Sequence, residues 1–376
     1  MRIFTGTYQR PSAEYWMRIE RNDFMKKLAL IGCGGIGAYH LEHFLQFRDI
    51  ELAGFCDLLI DRAESFAKKA GSGRAYSDFI QMYDEVQPDM VFICIPPTCH
   101  GRIEFETIRR GIPFFVEKPL ALDMALAKEL VGQVEEKGLI AASGFQCRYD
   151  NINDDAMEFA AKHPILHVAA SRVGGIPDAP WWNVKSTSGG QLVEQTIHQM
   201  DMLRYILKTE PDTVYSVASR GCITQEENPG YFTDDLSTTL ITFKNGITCT
   251  MMTGCYSLDG ASWDSKMTFG SRSTRMDYYL CTKAVMYGIS KEDQSSETVG
   301  TIAGDGTQRK SDCEVGITVA SSVDFGLVCD RTFIDAVLTG DPSKIRSPYS
   351  DAYKSVAFTI ACNQSMETGL PVKVVY

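Results

Sequence analysis

Lys27-Leu28-Ala29-Leu30-Ile31-Gly32-Cys33-Gly34-Gly35-Ile36-Gly37 decides the fold of this chain. An apolar run ends in a glycine triplet and is answered by Asp57, at the end of Ile50-Glu51-Leu52-Ala53-Gly54-Phe55-Cys56-Asp57. The order predicts a buried strand, a sharp turn at Gly32, a backbone at Gly34 that a pyrophosphate can approach, and a helix packed closely at Gly37. Gly35 and Ile36 lie where the helix begins, so its first amides face the phosphates. Asp57 falls about 20 residues on, where an acid holds the adenosine ribose. A carboxylate there opposes a 2′-phosphate: like charges ~5 Å apart at an effective dielectric of ~20 cost about 3 kcal/mol, which favours NAD over NADP. Arg62, early in the next helix, is placed to soften that repulsion.

The rest of the composition narrows the class. A chain of 376 residues with 44% hydrophobic content exceeds what one core usually serves, so two domains are expected. Its 37 basic and 48 acidic residues leave a net charge of −11, which excludes a broad basic face for nucleic acid. Twelve cysteines are scattered without Cys-x-x-Cys spacing and fit reduced thiols in a cytoplasmic protein, with Cys33, Cys56 and Cys94 as small apolar fillers. No apolar run approaches the ~18 residues that cross a bilayer, so no membrane partner is expected. No metal site is expected either. His163 and His167 flank Pro164 and do not share a regular helical face, while His40 and His43 on the first helix read as packing. Residues 1–24 carry Arg2, Arg10, Arg18 and Arg21 without an apolar block, unlike a secretory signal. They are either an arm on a neighbouring surface or a start-site extension before Met25-Lys26-Lys27.

From residue 25 to 150 strands and helices alternate as in a doubly wound parallel sheet. Strands are predicted at 27–31, 51–56, 90–95, 113–116 and 139–144, and helices at 36–47, 60–70, 98–110 and 123–137, the last capped by Asp123. A second domain, 151–376, is predicted with a helix at 152–162, a strand at 165–173, a loop rich in Trp and Pro, and a long helix at 190–207. Alternating Thr-rich strands follow at 213–220, 235–243, 247–256, 265–270 and 274–280, with a hairpin signal at Lys244-Asn245-Gly246; they imply an antiparallel sheet buried on one face. A polar stretch at 289–312 reads as an insertion. Helices at 322–339 and 350–368 close the chain, the last placed to pack back on the nucleotide domain.

Ligands of an open parallel sheet collect beyond the carboxyl ends of its strands. Ile93-Cys94-Ile95-Pro96-Pro97-Thr98-Cys99-His100 ends one such strand, and Phe115-Val116-Glu117-Lys118-Pro119 another. Ile95, Pro96, His100, Glu117 and Lys118 are therefore expected beside the cofactor, although a lone lysine there also reads as solvated. On the helix from Gly190, Glu194, His198 and Asp201 fall within roughly 60° of arc at about 100° per residue. Two acids and an imidazole on one face are poor packing material; a solvated ion cluster is the other reading.

Together, the glycine triplet with His40 after it, the Ile-Pro-Pro-x-x-His turn, Glu117-Lys118-Pro119 and Gly189-Gly190…Glu194…His198-x-x-Asp201 resemble the Gfo/Idh/MocA family of sugar and cyclitol oxidoreductases over residues 26–376. The resemblance implies an N-terminal Rossmann domain and a C-terminal α+β domain with a large open, mainly antiparallel sheet. It implies Lys118 as the family lysine and Glu194 with His198 as the acid–histidine pair, Glu standing where Asp is commoner. Gln146 and Arg148, in Gln146-Cys147-Arg148-Tyr149-Asp150, become candidates for nicotinamide or substrate contacts. Trp181 and Trp182 fall in a substrate-side loop, where a ring face could hold a pyranose or pack beneath the loop; Tyr256 and Trp263 are further rim candidates. His198 is expected to take the alcohol proton and Lys118 to stabilise the developing oxyanion, with the reverse assignment open. Asp201 either holds a substrate hydroxyl or supports His198.

The implied substrate is a small carbohydrate, with a glucose-type ring oxidised at C3 favoured and inositol its rival. A glycosidase that oxidises transiently with tightly held, recycled NAD is an alternative, as is a dinucleotide sensor without turnover. A homo-oligomer is implied by the family and by an otherwise exposed sheet face.

Overall fold

The computed structural model describes residues 25–376 apart from 290–296, 303–307 and 314–315. The expectation for residues 1–24 lies outside the described residues, as does much of the polar stretch at 289–312. The nucleotide domain runs β1 (Lys26–Ile31), α1 (Gly35–Phe44), β2 (Ile50–Cys56), α2 (Ile60–Ala70), β3 (Arg74–Tyr76), α3 (Phe79–Val86), β4 (Met90–Ile93), α4 (Arg102–Arg109), β5 (Phe114–Val116), α5 (Met124–Lys137) and β6 (Ala141–Ser143). Its six strands pair in parallel in the order β3-β2-β1-β4-β5-β6. The edge strand β3 and helix α3, started by the Asp78 side chain accepting from Ile80 N–H, were not predicted, because three residues of strand carry too short an alternation to read. Asp123 caps α5 as expected, accepting from Ala125 and Leu126 N–H.

Strand order reverses between β1 and β4, and there the glycine spacing is enforced by sterics. Gly32 has φ +92°, and a Cβ on it would lie 2.0 Å from the Cys94 carbonyl oxygen. A Cβ on Gly37 would lie 2.1 Å from the Gly32 carbonyl oxygen, so α1 sits against the β1 turn more closely than any side chain allows. Gly34 and Gly35 instead face open space. The motif thus splits into two glycines that the fold requires and two that leave room outside it.

The second domain contains α6 (Ile152–Lys162), β7 (His167–Val173), α7 (Lys185–Ser188), α8 (Gly190–Glu194), α9 (Ile197–Leu207), β8 (Pro211–Ser219), β9 (Leu236–Phe243), β10 (Thr248–Gly254), β11 (Asp264–Gly270), β12 (Arg275–Tyr279), β13 (Lys283–Tyr287), β14 (Glu297–Ile302), β15 (Gln308–Cys313) and β16 (Ile317–Ala320). After it come α10 (Phe325–Thr339), α11 (Tyr349–Thr368) and β17 (Val372–Lys373). Nine strands form one sheet, β16-β13-β12-β11-β7-β10-β9-β8-β17, antiparallel throughout except the β7–β10 pair; β14 and β15 form a separate ribbon. Alternation along β9 buries Ser237, Thr239, Ile241 and Phe243 and exposes Thr238, Leu240 and Thr242. The inner face is covered by α6, α9 and α11 through Phe159, Met200, Leu203 and Phe358. The outer face leaves Tyr215, Val217, Leu240 and Met252 exposed.

Two late helices, rather than one, lie on the nucleotide domain. Phe333 and Ile334 of α10 join Leu28, Leu30, Phe92 and Phe115 on one face of the parallel sheet. Tyr349, Ala352 and Val356 of α11 join Ile31, Val91, Ile93 and Phe114 on the other. These strands read as unbroken apolar runs because both of their faces are covered.

Gly37→Ala should cost about 1–3 kcal/mol of stability through overpacking, read as a lowered urea midpoint. Gly34→Ala should keep the wild-type midpoint while weakening NADH binding at least about tenfold, since its methyl enters only the space left for phosphates. Equal loss of stability in both variants would contradict this division.

Candidate active site

At the nucleotide end, Asp57 is fixed by backbone amides. Its Oδ2 accepts from Cys33 N–H at 2.9 Å and its Oδ1 from Leu59 N–H at 2.9 Å. Leu58 and Leu59 beside it are exposed, as is Ile36 at the start of α1; this apolar lip, suited to an adenine ring, was not anticipated although Leu58-Leu59 follows Asp57 directly. Arg62 is exposed in the first turn of α2. Ile95 is half-buried, its Cγ2 close to the space at Gly32, and Pro96 is half-buried after it. Open space at Gly34, the left-handed turn at Gly32 and the held Asp57 carboxylate together fit a bound dinucleotide.

Two residues expected beside the cofactor turn inward instead. His100 donates from or accepts at Nδ1 with Glu104 Oε1 at 2.6 Å, while Glu104 Oε2 accepts from Gly101 N–H at 2.6 Å; it belongs to the start of α4. Glu117 is buried, with Oε1 3.1 Å from His40 Nε2 and Oε2 accepting from Lys118 N–H at 3.2 Å. It lies over Gly144, where a Cβ would meet Oε1 at 2.1 Å.

Lys118 reaches the second domain. Its Nζ donates to Glu194 Oε1 at 2.5 Å and to the Glu194 carbonyl oxygen at 2.8 Å. That carbonyl is available because the expected helix at 190–207 is broken: α8 ends at Glu194 and α9 begins at Ile197. Gly189 and Gly190, at φ +80° and +79°, turn the chain into α8, and Thr196 N–H returns to the Gln191 carbonyl at 2.8 Å. Burial works against ionisation of Glu194, but the Lys118 ammonium and hydrogen bonds from Lys118, Gln195 and Trp182 hold its carboxyl below the ordinary range.

The break also parts Glu194 from His198 and Asp201, which stay together on α9. His198, half-buried on α9, places Nδ1 3.8 Å from Cys147 Sγ and packs edge-on to Phe145. A hydrogen bond from Cys281 holds the Cys147 thiol below its ordinary range, and the His198 ring adds to it, against burial.

Asp201 is not a substrate ligand. It is 1% exposed and fully engaged, its two oxygens accepting from Arg148 at 2.6 and 2.7 Å and Oδ1 from Ser355 Oγ at 2.6 Å. Arg148 is likewise removed from the site, since its guanidinium also pairs with Asp351 at 2.6 Å and donates to the Arg346 carbonyl at 2.7 Å. Burial opposes charge on Asp351, but Arg148 and Arg204 hold its carboxyl down to about 2. Its contribution to stability is therefore present above the ordinary carboxylate range and lost only as pH falls toward that value. Gln146 is half-buried, with Oε1 near the space at Gly326 beside the Tyr39 hydroxyl.

Trp182 is also corrected. It is fully buried with Tyr231 and Cys255, and its Nε1–H donates to Glu194 Oε2 at 2.7 Å; it orients the acid and offers no ring face. Trp181 remains half-buried at the edge of the same cluster. Gln195 and Arg172 extend the polar string from Lys118: Gln195 Nε2 donates to Glu194 Oε2, and Arg172 Nη2 donates to Gln195 Oε1 at 2.5 Å. Arg172 was readable in principle, as it shares a strand face with buried Val168 and Ala170.

Two models of one oxidoreductase family match the chain, one for its NAD-binding Rossmann fold over residues 26–145 and one for its C-terminal alpha/beta domain over residues 165–264. A scyllo-inositol 2-dehydrogenase (NAD(+)) of Bacillus subtilis is 30% identical over 226 residues, covering 58% of this chain and 64% of that protein. A D-glucoside 3-dehydrogenase of Escherichia coli is 26% identical over 188 residues, covering 48% and 54%. The chain thus spans between about half and two thirds of the length of these curated relatives. A myo-inositol 2-dehydrogenase structure from Lactobacillus plantarum superposes with a TM-score of 0.73 at 19% identity, over 94% of this chain and all of that one; at that identity it shows the fold. Among the described residues no helix is long and apolar enough to cross a membrane.

Arg148→Ala should cost about 3–5 kcal/mol, because it leaves buried Asp201 with only the Ser355 hydroxyl and the longer 3.7 Å contact to Arg204. Denaturant unfolding checks this; unchanged stability with a raised substrate KM would return Arg148 to the site.

Proposed function

Because the chain belongs to the Gfo/Idh/MocA oxidoreductase family, we propose that it is an NAD-dependent dehydrogenase moving hydride between nicotinamide and a secondary alcohol of a sugar, glycoside or cyclitol. One observation carries the reading. The Lys118 ammonium, two residues past β5, meets Glu194 at a helix end of the second domain, and His198 stands in the first turn of the next helix, α9. The bound cofactor supplies the hydride acceptor. Gly34 and Gly35 leave room for its pyrophosphate and Asp57 would hold its ribose.

The protein's own groups manage the proton and the charge. A substrate competes for the Lys118–Glu194 pair: its carbinol oxygen accepts from Nζ while a neighbouring hydroxyl donates to Glu194. The pair therefore reads two adjacent hydroxyls of a ring. Lys118 stabilises charge as it develops on the reacting oxygen. His198 takes the alcohol proton at Nε2, which requires the Nδ1–H tautomer directed at Cys147. Trp181 is an aromatic candidate for the sugar face, with Tyr256 and Trp263 as further rim candidates. Within this class we favour a glucose-type ring oxidised at C3, with inositol as the second reading; the relatives above include a D-glucoside 3-dehydrogenase and a scyllo-inositol 2-dehydrogenase.

The exposed face of the nine-stranded sheet, with Tyr215, Val217, Leu240 and Met252, supports assembly of copies through that face. Leu240→Lys should shift the particle to a smaller mass in light scattering; an unchanged mass contradicts that surface.

Lys118→Ala and His198→Ala should each lower kcat by about 10²–10⁴-fold while NADH still binds. A panel of inositols, hexoses and glycosides, followed by NADH absorbance and by product mass, should give NADH and a keto product from at least one member. Free aglycone without net NADH would instead indicate the oxidation–elimination glycosidase. NADH binding without oxidation of any member would indicate a sensor.

A further inference from the structure

Beneath Lys118 lies a buried polar cluster that the proposed chemistry does not use. His40 on α1 is 2% exposed and lies among the rings of Phe44, Phe92 and Phe115. Its Nδ1 is 2.9 Å from both oxygens of Asp330 on α10, and its Nε2 is 3.1 Å from Glu117 Oε1. His43, on the next turn of α1, places Nδ1 2.6 Å from Asp330 Oδ2 and Nε2 3.8 Å from Asp324 Oδ2.

An ionised carboxylate only accepts hydrogen bonds, so an imidazole whose two nitrogens both face carboxylates must carry both hydrogens. His40 is then a cation between two anions, the arrangement in which a buried charge is tolerated. Burial opposes that charge, but Asp330 and then Cys94 hold the ring well above its ordinary pKa. Tyr39 and Cys329 also lie within electrostatic reach of the ring.

Two histidines and an aspartate could alternatively offer three ligand atoms to a metal ion. Their contacts of 2.6–2.9 Å are direct hydrogen bonds, shorter than the ~3.3 Å between ligands held ~2.0 Å from a tetrahedral ion.

The second carboxylate leads to the reacting end of the molecule. Glu117 Oε2 accepts from Lys118 N–H, and the carboxylate fills the space over Gly144. The peptide that carries the lysine therefore cannot turn without breaking the contact with His40. We propose that His40 is a positioning residue: clamped as an imidazolium between Asp330 and Glu117, it fixes the Glu117–Lys118 backbone and so the direction from which the ammonium meets substrate. This rests on the role given to Lys118 above. Because Asp330 stands on α10, the clamp also makes the lysine's placement depend on docking of a helix more than two hundred residues later in the chain.

The test uses the full chain with NADH bound. Nitrogen-resolved NMR of labelled histidine should show one imidazole, absent in His40→Gln, that keeps both ring nitrogens protonated at about pH 8, where an ordinary histidine is neutral. His40→Gln and Glu117→Gln should lower kcat per bound NADH by about 10–100-fold, with KM for NAD changed by less than about threefold. A purely structural role would lower the unfolding temperature and leave kcat per NADH site intact. Should His40→Gln not fold, the isosteric Glu117→Gln carries the kinetic comparison. A neutral His40 at that pH, or unchanged kcat per NADH site in the folded variants, overturns the proposal. The spectrum needs no substrate, so a wild-type enzyme that oxidises no polyol would refute the assigned reaction separately from the clamp.

Discussion

The contact between Lys118 Nζ and Glu194 joins the two halves of this molecule at the place where chemistry is possible. It depends on two constraints set far from each other in sequence. Strand β5 must end so that its lysine projects from the parallel sheet, and the second domain must present a helix end whose carbonyl and carboxylate both accept. In the proposed reaction a substrate with adjacent hydroxyls replaces each half of the pair, so the ion pair would keep the site charged and ordered without blocking it.

Two other ionic networks support that contact without reacting. Arg148, Asp201, Asp351 and Arg204 lie under the junction between the domains, and His40, Asp330 and Glu117 lie under the lysine. Buried ion pairs are weak sources of net stability but costly to break singly. Their effect here is to make particular domain and peptide arrangements hard to leave. Aromatic packing of Phe92, Phe115 and Phe333 encloses the second network, which excludes water from it and strengthens its electrostatics.

Much of the nucleotide domain was legible because its signals are local. A strand, a glycine turn and an acid lie within one short stretch, and the close approach of Gly37 to Gly32 is visible as spacing. The open-faced sheet was legible for the same reason, since Thr238, Leu240 and Thr242 alternate with buried neighbours. What failed was inference across gaps. The arc joining Glu194, His198 and Asp201 assumed an unbroken helix, whereas one helix ends at Glu194 and another starts at Ile197. Asp201 and Arg148 are equally suited by type to a site or a buried pair, and only folding brings them together. Trp182 resembled a sugar platform, but its depth beneath the loop is a tertiary fact. His40 read as packing because its partners Glu117 and Asp330 lie 77 and 290 residues away.

The central claim is geometrical, that one ammonium and one imidazole converge on a single alcohol oxygen. A crystal structure with NADH and a bound polyol measures it directly. The account predicts that Lys118 Nζ and His198 Nε2 both lie within about 3 Å of the same substrate oxygen. A bound polyol that leaves either nitrogen more than about 5 Å from that oxygen, beyond hydrogen-bond reach, would contradict it.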